Sequence, residues 1–258
     1  MVYQVQLLFD TPISWPLFGF VFCGAVTSYN FHWWLTPPLA EGSSKKLAWN
    51  LSNKNLHLFL FIAGLTGAGV FSLLLVQHWF WLGITAFLTF LYSAPKIGHP
   101  LFAQLRKVAL AKTIFLAFAW THVTTLLPLV MHSTYLDVQQ EWLVVNRFFF
   151  IYAICILFDY RDVEEDRKAG IRSMITEVND KGIHILFWGS MLVFYMSALF
   201  IAPYFDLLTI VCLLIPGFIL SLLYSIAMRQ FSDYLYYFVL DGLMMLSAPL
   251  LVLAKFAR

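Results

Sequence analysis

Apolar residues run along this chain in blocks of about twenty, separated by short polar breaks. Continuous apolar stretches cover Trp15–Leu35, Leu56–Val76, Ala109–Met131, Ile183–Pro203, Leu207–Met228 and Tyr234–Ala254. A helix of about 20 such residues crosses a hydrocarbon core of about 30 Å, so each block predicts a transmembrane helix. Two shorter runs, Trp79–Tyr92 and Leu143–Phe158, predict two further crossings and bring the expected total to about eight. The runs are continuously apolar rather than alternating with period two, which excludes barrel strands. The pattern therefore predicts an all-α integral membrane protein. The opening "MVYQVQLLFDTPIS" is too short to span and reads as the end of a helix followed by a turn at Asp10 and Pro12. It is the expected remnant of a first transmembrane helix that is truncated or missing.

Composition sharpens this picture. The chain is 61% hydrophobic and 12% charged, against about 25% charged residues in a soluble domain. No long Ser, Pro or Gly linker interrupts it, so residues 1–258 are expected to form a single transmembrane domain. Cys23, Cys155 and Cys212 are isolated in apolar runs and read as packing residues, with no metal or disulfide spacing. Gly64, Gly67 and Gly69 in "GLTGAGV" suit close packing of helices. No Lys or Arg precedes Lys45, so no cleavable signal peptide is expected.

The net charge of +2 matters less than where the charge sits. Lys45, Lys46, Lys54, Lys96, Arg106, Lys107, Arg161, Arg167, Lys168, Arg172, Lys181 and Arg229 all fall on alternate loops, those that eight spans place on one side. By the positive-inside rule that side is cytoplasmic, and it includes loops 36–55, 93–108 and 159–182. The expected location is the cell inner membrane with the Asp-rich loop facing the cytoplasm. Arg147, read as lying near the outer end of its span, is expected to snorkel to the interface. Trp33 and Trp34 read as interface aromatics.

Charge also concentrates in one place. Residues 159–181 hold 12 of the 30 Asp, Glu, Lys and Arg residues, directly behind the apolar run "FFFIYAICILF". On a helix continuing from that run, Asp159, Asp162 and Asp166 fall at i, i+3 and i+7 and share a face, while Glu164 and Glu165 point elsewhere. Like charges at such spacings repel by a few tenths of a kcal/mol per pair, and a bound cation reverses the sign. Oxygen-only donors suit Mg2+, which takes one or two carboxylates and leaves other positions to water and phosphate. Arg167, Lys168 and Arg172 follow, as donors to phosphate oxygens. The same charges would also suit a solvated juxtamembrane helix that only holds topology.

The segment "DYRDVEEDRKAGIRS" resembles the second aspartate-rich motif of the UbiA-type prenyltransferase superfamily, D-x-x-D-x-x-x-D-R-K-x-G. The matching residues are Asp159, Asp162, Asp166, Arg167, Lys168 and Gly170. "LYSAP" at 91–95 with Arg106 and Lys107 downstream is similar to that family's tyrosine-serine-proline loop, and "DYLYYFVLDGLMML" to its closing helix. The resemblance covers about residues 20–250. It implies a UbiA-like bundle of nine helices around a central cavity, with eight spans here beside the lost first helix. It also implies Mg2+-dependent transfer of a prenyl group from an isoprenoid diphosphate to an aromatic or other lipophilic acceptor within the membrane. Asp159, Asp162 and Asp166 would then hold the metal. Lys96, Arg106, Lys107, Arg167, Lys168 and Arg172 would face the diphosphate.

The family's first motif, N-D-x-x-D-x-x-x-D, has no counterpart. Where it should close the first long span the chain reads "NFHWWLTPP", with Phe31, Trp34 and Pro38 in the three Asp positions. Asn30 remains either as a neutral oxygen ligand or as a packing residue, and His32 either as a phosphate donor or as an interfacial anchor. Losing one carboxylate cluster weakens the electrophilic help available to a leaving diphosphate. The alternative expectation is therefore a non-catalytic isoprenoid- or lipid-binding, or transport, protein on the same fold. Asp241, inside the last span, is expected to face the interior, either lining a cavity near the acceptor or as a hydrogen-bonded bundle residue. Many Phe, Trp and Tyr residues would shelter a carbocation or simply fill a membrane bundle. Nothing in the sequence points to a nucleic acid or to a protein partner.

Overall fold

The computed structural model describes residues 1–36, 45–94, 97, 112–133, 135–168 and 174–256, and every regular element among them is helical. The α-helices are α1 (Val2–Leu8), α2 (Trp15–Leu35), α3 (Lys45–Ser52), α4 (Lys54–Leu73), α5 (Trp79–Ser93), α6 (Lys112–Thr121) and α7 (Val138–Arg161). They continue with α8 (Val163–Lys168), α9 (Met174–Glu177), α10 (Asp180–Ile201), α11 (Leu207–Ala227) and α12 (Asp241–Phe256). A π-helical turn at His122–Leu126 carries α6 on to Val130, and another at Leu235–Leu240 leads into α12.

Among the described residues, six helical stretches are long and apolar enough to cross a membrane: Lys54–Leu73, Thr113–Val130, Val138–Arg161, Asp180–Tyr204, Leu207–Ala227 and Leu235–Phe256. This is a multi-pass helical membrane protein. The other two expected crossings are helical but do not join the six. Helix α2 has 21 residues, but Thr27, Ser28, Asn30 and His32 dilute its apolar character. Helix α5 has 15 residues, a length of about 22 Å at 1.5 Å per residue.

Helix ends are fixed by local chemistry the sequence carries. The Ser14 hydroxyl accepts from Leu17 N–H with Pro16 just behind it, starting α2. The Asn179 side chain accepts from Gly182 N–H at 2.9 Å and starts α10. Asp206 caps α11, accepting from Thr209 N–H at 3.1 Å. Helix α1 ends as expected in a turn. Asp10 there has φ of 47°, a left-handed conformation that Asp tolerates better than most residues. Lys255 Nζ meets its carboxylate at 2.5 Å, and Gln6 donates to Pro12 O at 3.0 Å.

The described residues fall into two compact units, one drawn from Met1–Ile13 and 108–258, the other from 14–107. In the first, α7 is the central helix, packed against α6 and α10. Phe150, Ile151, Ala153, Ile154, Ile156 and Leu157 are all fully buried. A helix apolar on every side belongs in the middle of a bundle. The run expected to be short, Leu143–Phe158, thus sits in a 24-residue helix, because Gln139, Gln140 and Glu141 join its first turn. In the second unit, α2 and α4 pack closely. A Cβ added at Gly64 would lie 2.7 Å from Thr27 Oγ1, 2.9 Å from Thr27 N and 3.0 Å from Cys23 O. Gly67 faces Cys23 Sγ in the same way, whereas Gly69 has open space.

Candidate functional site

The charged cluster lies where α7 ends. Asp159, on the last turn, is 6% exposed, and its Oδ2 accepts a short hydrogen bond from Thr113 Oγ1 on α6. A carboxylate that deep needs such a donor, because an unpaired one carries a heavy desolvation cost. Asp162 is the residue at which the helix stops, with φ −88° and ψ 2°. Arg161 grips it through two bonds, Nε to Oδ1 at 2.7 Å and a terminal nitrogen to Oδ2 at 3.1 Å.

This pairing corrects one expectation. Helix α7 does not continue unbroken from Asp159 to Asp166; it ends at Arg161, and α8 starts afresh at Val163. The forked bond from Arg161 to Asp162 sits at this break.

Arg161 is the most elaborately held side chain at this end. It donates to Tyr237 Oη at 2.7 Å. Its guanidinium lies 4.6 Å from the centre of the Tyr237 ring, 4.8 Å from Tyr236 and 5.3 Å from Phe158. Asp233 is 4.0 Å away. The Arg161 side chain is 10% exposed and that of Asp162 39%, so the pair presents its carboxylate edge outward. Tyr236 Oη donates to Ala227 O at 2.8 Å and so fixes the rings beneath. Nearby, Arg167 pairs with Glu164 at 3.2 Å across an exposed turn and reaches Thr176 O at 3.5 Å. His184 Nδ1 and Tyr224 Oη are 2.5 Å apart.

The donor chemistry here suits a hard cation, since the cluster offers oxygens alone. The described arrangement is not a formed cage, because Arg161 occupies both oxygens of Asp162 and Thr113 one of Asp159. Among the described residues, no group of three His, Cys, Asp or Glu side chains is close enough to hold a metal. Asp166 and Lys168 contribute backbone to α8, but their side chains lie outside the described residues, as do Lys96, Arg106, Lys107 and Arg172 entirely.

The remaining candidates fall elsewhere. Asn30 belongs to the 14–107 unit, where its Nδ2 donates to Val26 O at 2.7 Å and its Oδ1 lies 2.8 Å from His57 Nδ1. His57 Nε2 is 3.0 Å from Asn50 Oδ1, and His57 and Asn50 are both buried. Sequence reasoning missed these two residues. Their signal was the placing of Asn50 and His57 seven residues apart, on either side of the break at Asn53. His32 stacks on Tyr92 with ring centres 5.1 Å apart. Asp241 is half-buried in the first turn of α12 and has an interaction partner of its own.

Arg147 overturns its expectation outright. It does not snorkel; it is 1% exposed. It donates to Asn146 Oδ1 at 3.1 Å, Leu213 O at 3.3 Å and, weakly, Ser247 Oγ at 3.5 Å. These partners come from α11 and α12 as well as α7, and the rings of Phe150 and Phe194 sit within 6 Å. Packing on three sides closes the route to the interface. Compared with known proteins, the chain matches no family model, no curated relative and no solved structure.

Proposed function

We propose that this protein is a UbiA-like prenyltransferase of the inner membrane, with the end of α7 on the cytoplasmic side. It would move a prenyl group from an isoprenoid diphosphate to a lipophilic acceptor. The observation that supports this reading is the pair Asp159 and Asp162, three residues apart at the end of the most deeply buried helix, within "DYRDVEEDRKAGIRS". Mg2+, when bound, would neutralise diphosphate charge and make it a better leaving group. Asp159, Asp162 and Asp166 are the residues to hold it.

Each side chain has a definable task in this reading. Thr113 holds the Asp159 carboxylate in one orientation. Arg161 must give up at least one oxygen of Asp162 for that group to act as a ligand, and a guanidinium so released becomes a donor to the diphosphate. Arg167, Lys168 and Arg172, with Lys96, Arg106 and Lys107, supply further positive charge by the same resemblance, which also assigns Asn30 and Asp241 to substrate. Breaking the allylic C–O bond sends the electron pair to the diphosphate. The acceptor's nucleophilic atom then bonds to the allylic carbon and loses a proton.

A second reading is favoured by the Arg161–Asp162 pair together with the missing first motif: a non-catalytic isoprenoid- or lipid-binding protein on the same fold. Calorimetric titration with a prenyl diphosphate, with and without Mg2+, separates the two. The transferase reading expects weak, Mg2+-dependent binding that drops in Asp162→Asn and persists in Glu164→Gln, which removes the same charge outside the stripe. It also expects slow release of diphosphate in the presence of an acceptor. Absent binding, or equal binding in all three proteins, overturns the metal–diphosphate site.

A further inference from the structure

The end of α12 opposite the charged cluster carries a second polar feature. Tyr237, which holds Arg161, lies in the first turn of the stretch Leu235–Phe256, and Lys255 lies in its last. That stretch is long enough to cross the membrane, so Lys255 stands at headgroup level on the other face. Helix α1 packs beside it. Between the two helices is a cleft of about 180 Å³, whose lining includes Tyr3, Gln6, Asp10, Thr11 and Lys255. One water needs roughly 10–15 Å³ on that measure, so a polar group much larger than water has room there. Tyr3, Leu7 and Lys255 also line a second cleft, of about 190 Å³, which Val252 and Phe256 complete. The two clefts thus adjoin, one rimmed by an ion pair and the other walled mainly by apolar side chains. Together they form an amphiphilic groove.

The polar end holds one charge of each sign, with bonding capacity to spare. Lys255 Nζ donates to Asp10 Oδ1 at 2.5 Å. An ammonium has three donors and a carboxylate two acceptor oxygens. Among the described residues, Asp10 Oδ2 and the other Lys255 donors make no further hydrogen bond. Gln6 is the buried member of the lining, at 2% exposed. Its Nε2 serves Pro12 O, but its Oε1 has no hydrogen-bond partner. Buried amide oxygens are nearly always satisfied, so a donor is missing on this side of the cleft. Asp10 is also the one non-glycine among the described residues with a positive φ. Local strain of this kind is held in place by its surroundings and collects at ligand sites.

We propose that this groove binds a zwitterionic membrane phospholipid with a primary ammonium, phosphatidylethanolamine. Lys255 donates to the lipid phosphate, and the lipid ammonium donates to Asp10 Oδ2 and the Thr11 hydroxyl. An acyl chain runs along Leu7, Val252 and Phe256. One positive and one negative group in the groove meet one of each in the headgroup, so no charge is left over. Phosphatidylcholine carries the same charges, but its quaternary nitrogen has no N–H to donate. Phosphatidylglycerol brings no cation to Asp10. The site stands apart from the diphosphate reading, because it lies at the other membrane face and uses none of the same residues.

The test is native mass spectrometry of the purified full chain, released from mixed micelles holding equal mole fractions of phosphatidylethanolamine, phosphatidylcholine and phosphatidylglycerol. The parent protein should retain phosphatidylethanolamine over the other two by about two- to fivefold, the scale of a partly exposed ion pair. Retention should fall stepwise along the N-methylated series from primary to quaternary amine, as donors are removed. Asp10→Asn keeps a residue type that tolerates positive φ and should erase the preference for ethanolamine. Lys255→Met keeps an apolar stem and should weaken all three lipids alike, since each has a phosphate. If either variant fails to fold, the methylated series on the parent protein decides the matter alone. Equal retention of the three lipids, tightest retention of phosphatidylglycerol, an ethanolamine preference that survives Asp10→Asn, or unchanged retention in Lys255→Met overturns the site.

Discussion

Replacing Gly64 with alanine is a sharp test of how α2 and α4 pack, because the same chemical change at Gly69 provides the control. The new methyl at 64 would stand 2.9 Å from Thr27 N and 3.0 Å from Cys23 O. Both are backbone atoms of α2, so no rotamer change relieves the contact. Ordinary contact begins near 3.4 Å, so the helices must part by about 0.5 Å, and a gap of 0.5–1 Å already forfeits a quarter to a half of the attraction between facing atoms. Overpacking of this kind costs about 1–3 kcal/mol. Against that, alanine gains up to about 1 kcal/mol of helix propensity over glycine. Gly69→Ala has the gain alone, since nothing lies within 4 Å of its added methyl. The two variants should therefore differ by about 1–3 kcal/mol, with Gly64→Ala the less stable. At roughly 2–4 °C per kcal/mol, thermal unfolding in detergent should separate them by at least a few degrees. Equal unfolding temperatures would refute the close approach of α2 and α4.

Two further perturbations probe the charged end and the buried histidine. Arg161→Met frees Asp162 and removes the fork and ring contacts that guanidinium makes, so it should lower stability by about 1–2 kcal/mol after allowing for the partial exposure of the pair, while strengthening Mg2+ binding measured by calorimetry; Arg161→Lys should recover little, because an ammonium cannot make the bidentate bond. His57→Leu removes the ring that links the Asn30 oxygen to Asn50, which should cost about 1–3 kcal/mol, and an unchanged unfolding temperature would contradict the Asn30–His57–Asn50 network.

The sequence by itself determined the helices. Runs such as Leu207–Met228 and Ile183–Pro203 could only be helices in a membrane, because the backbone there must satisfy its own hydrogen bonds. Ser14, Asn179 and Asp206 marked helix starts through side chains that reach only three residues along the chain. The concentration of carboxylates at 159–166 was equally visible, since it is a local count.

Tertiary structure decided everything that depends on what lies opposite. Arg147 looked like a residue able to reach the interface, yet its neighbours include Leu213 and Ser247, 66 and 100 residues away. Asp159 looked like one of three equivalent ligands, but Thr113, 46 residues earlier, sets it apart. The helical stripe through Asp162 gave way to a break, and there Arg161 bonds both its neighbour and Tyr237, 76 residues further on. Helix formation follows from the residue's own segment and the solvent around it. The partner of a buried charge follows from which distant segments the fold brings within 3 Å, and periodicity along the chain carries no record of that distance.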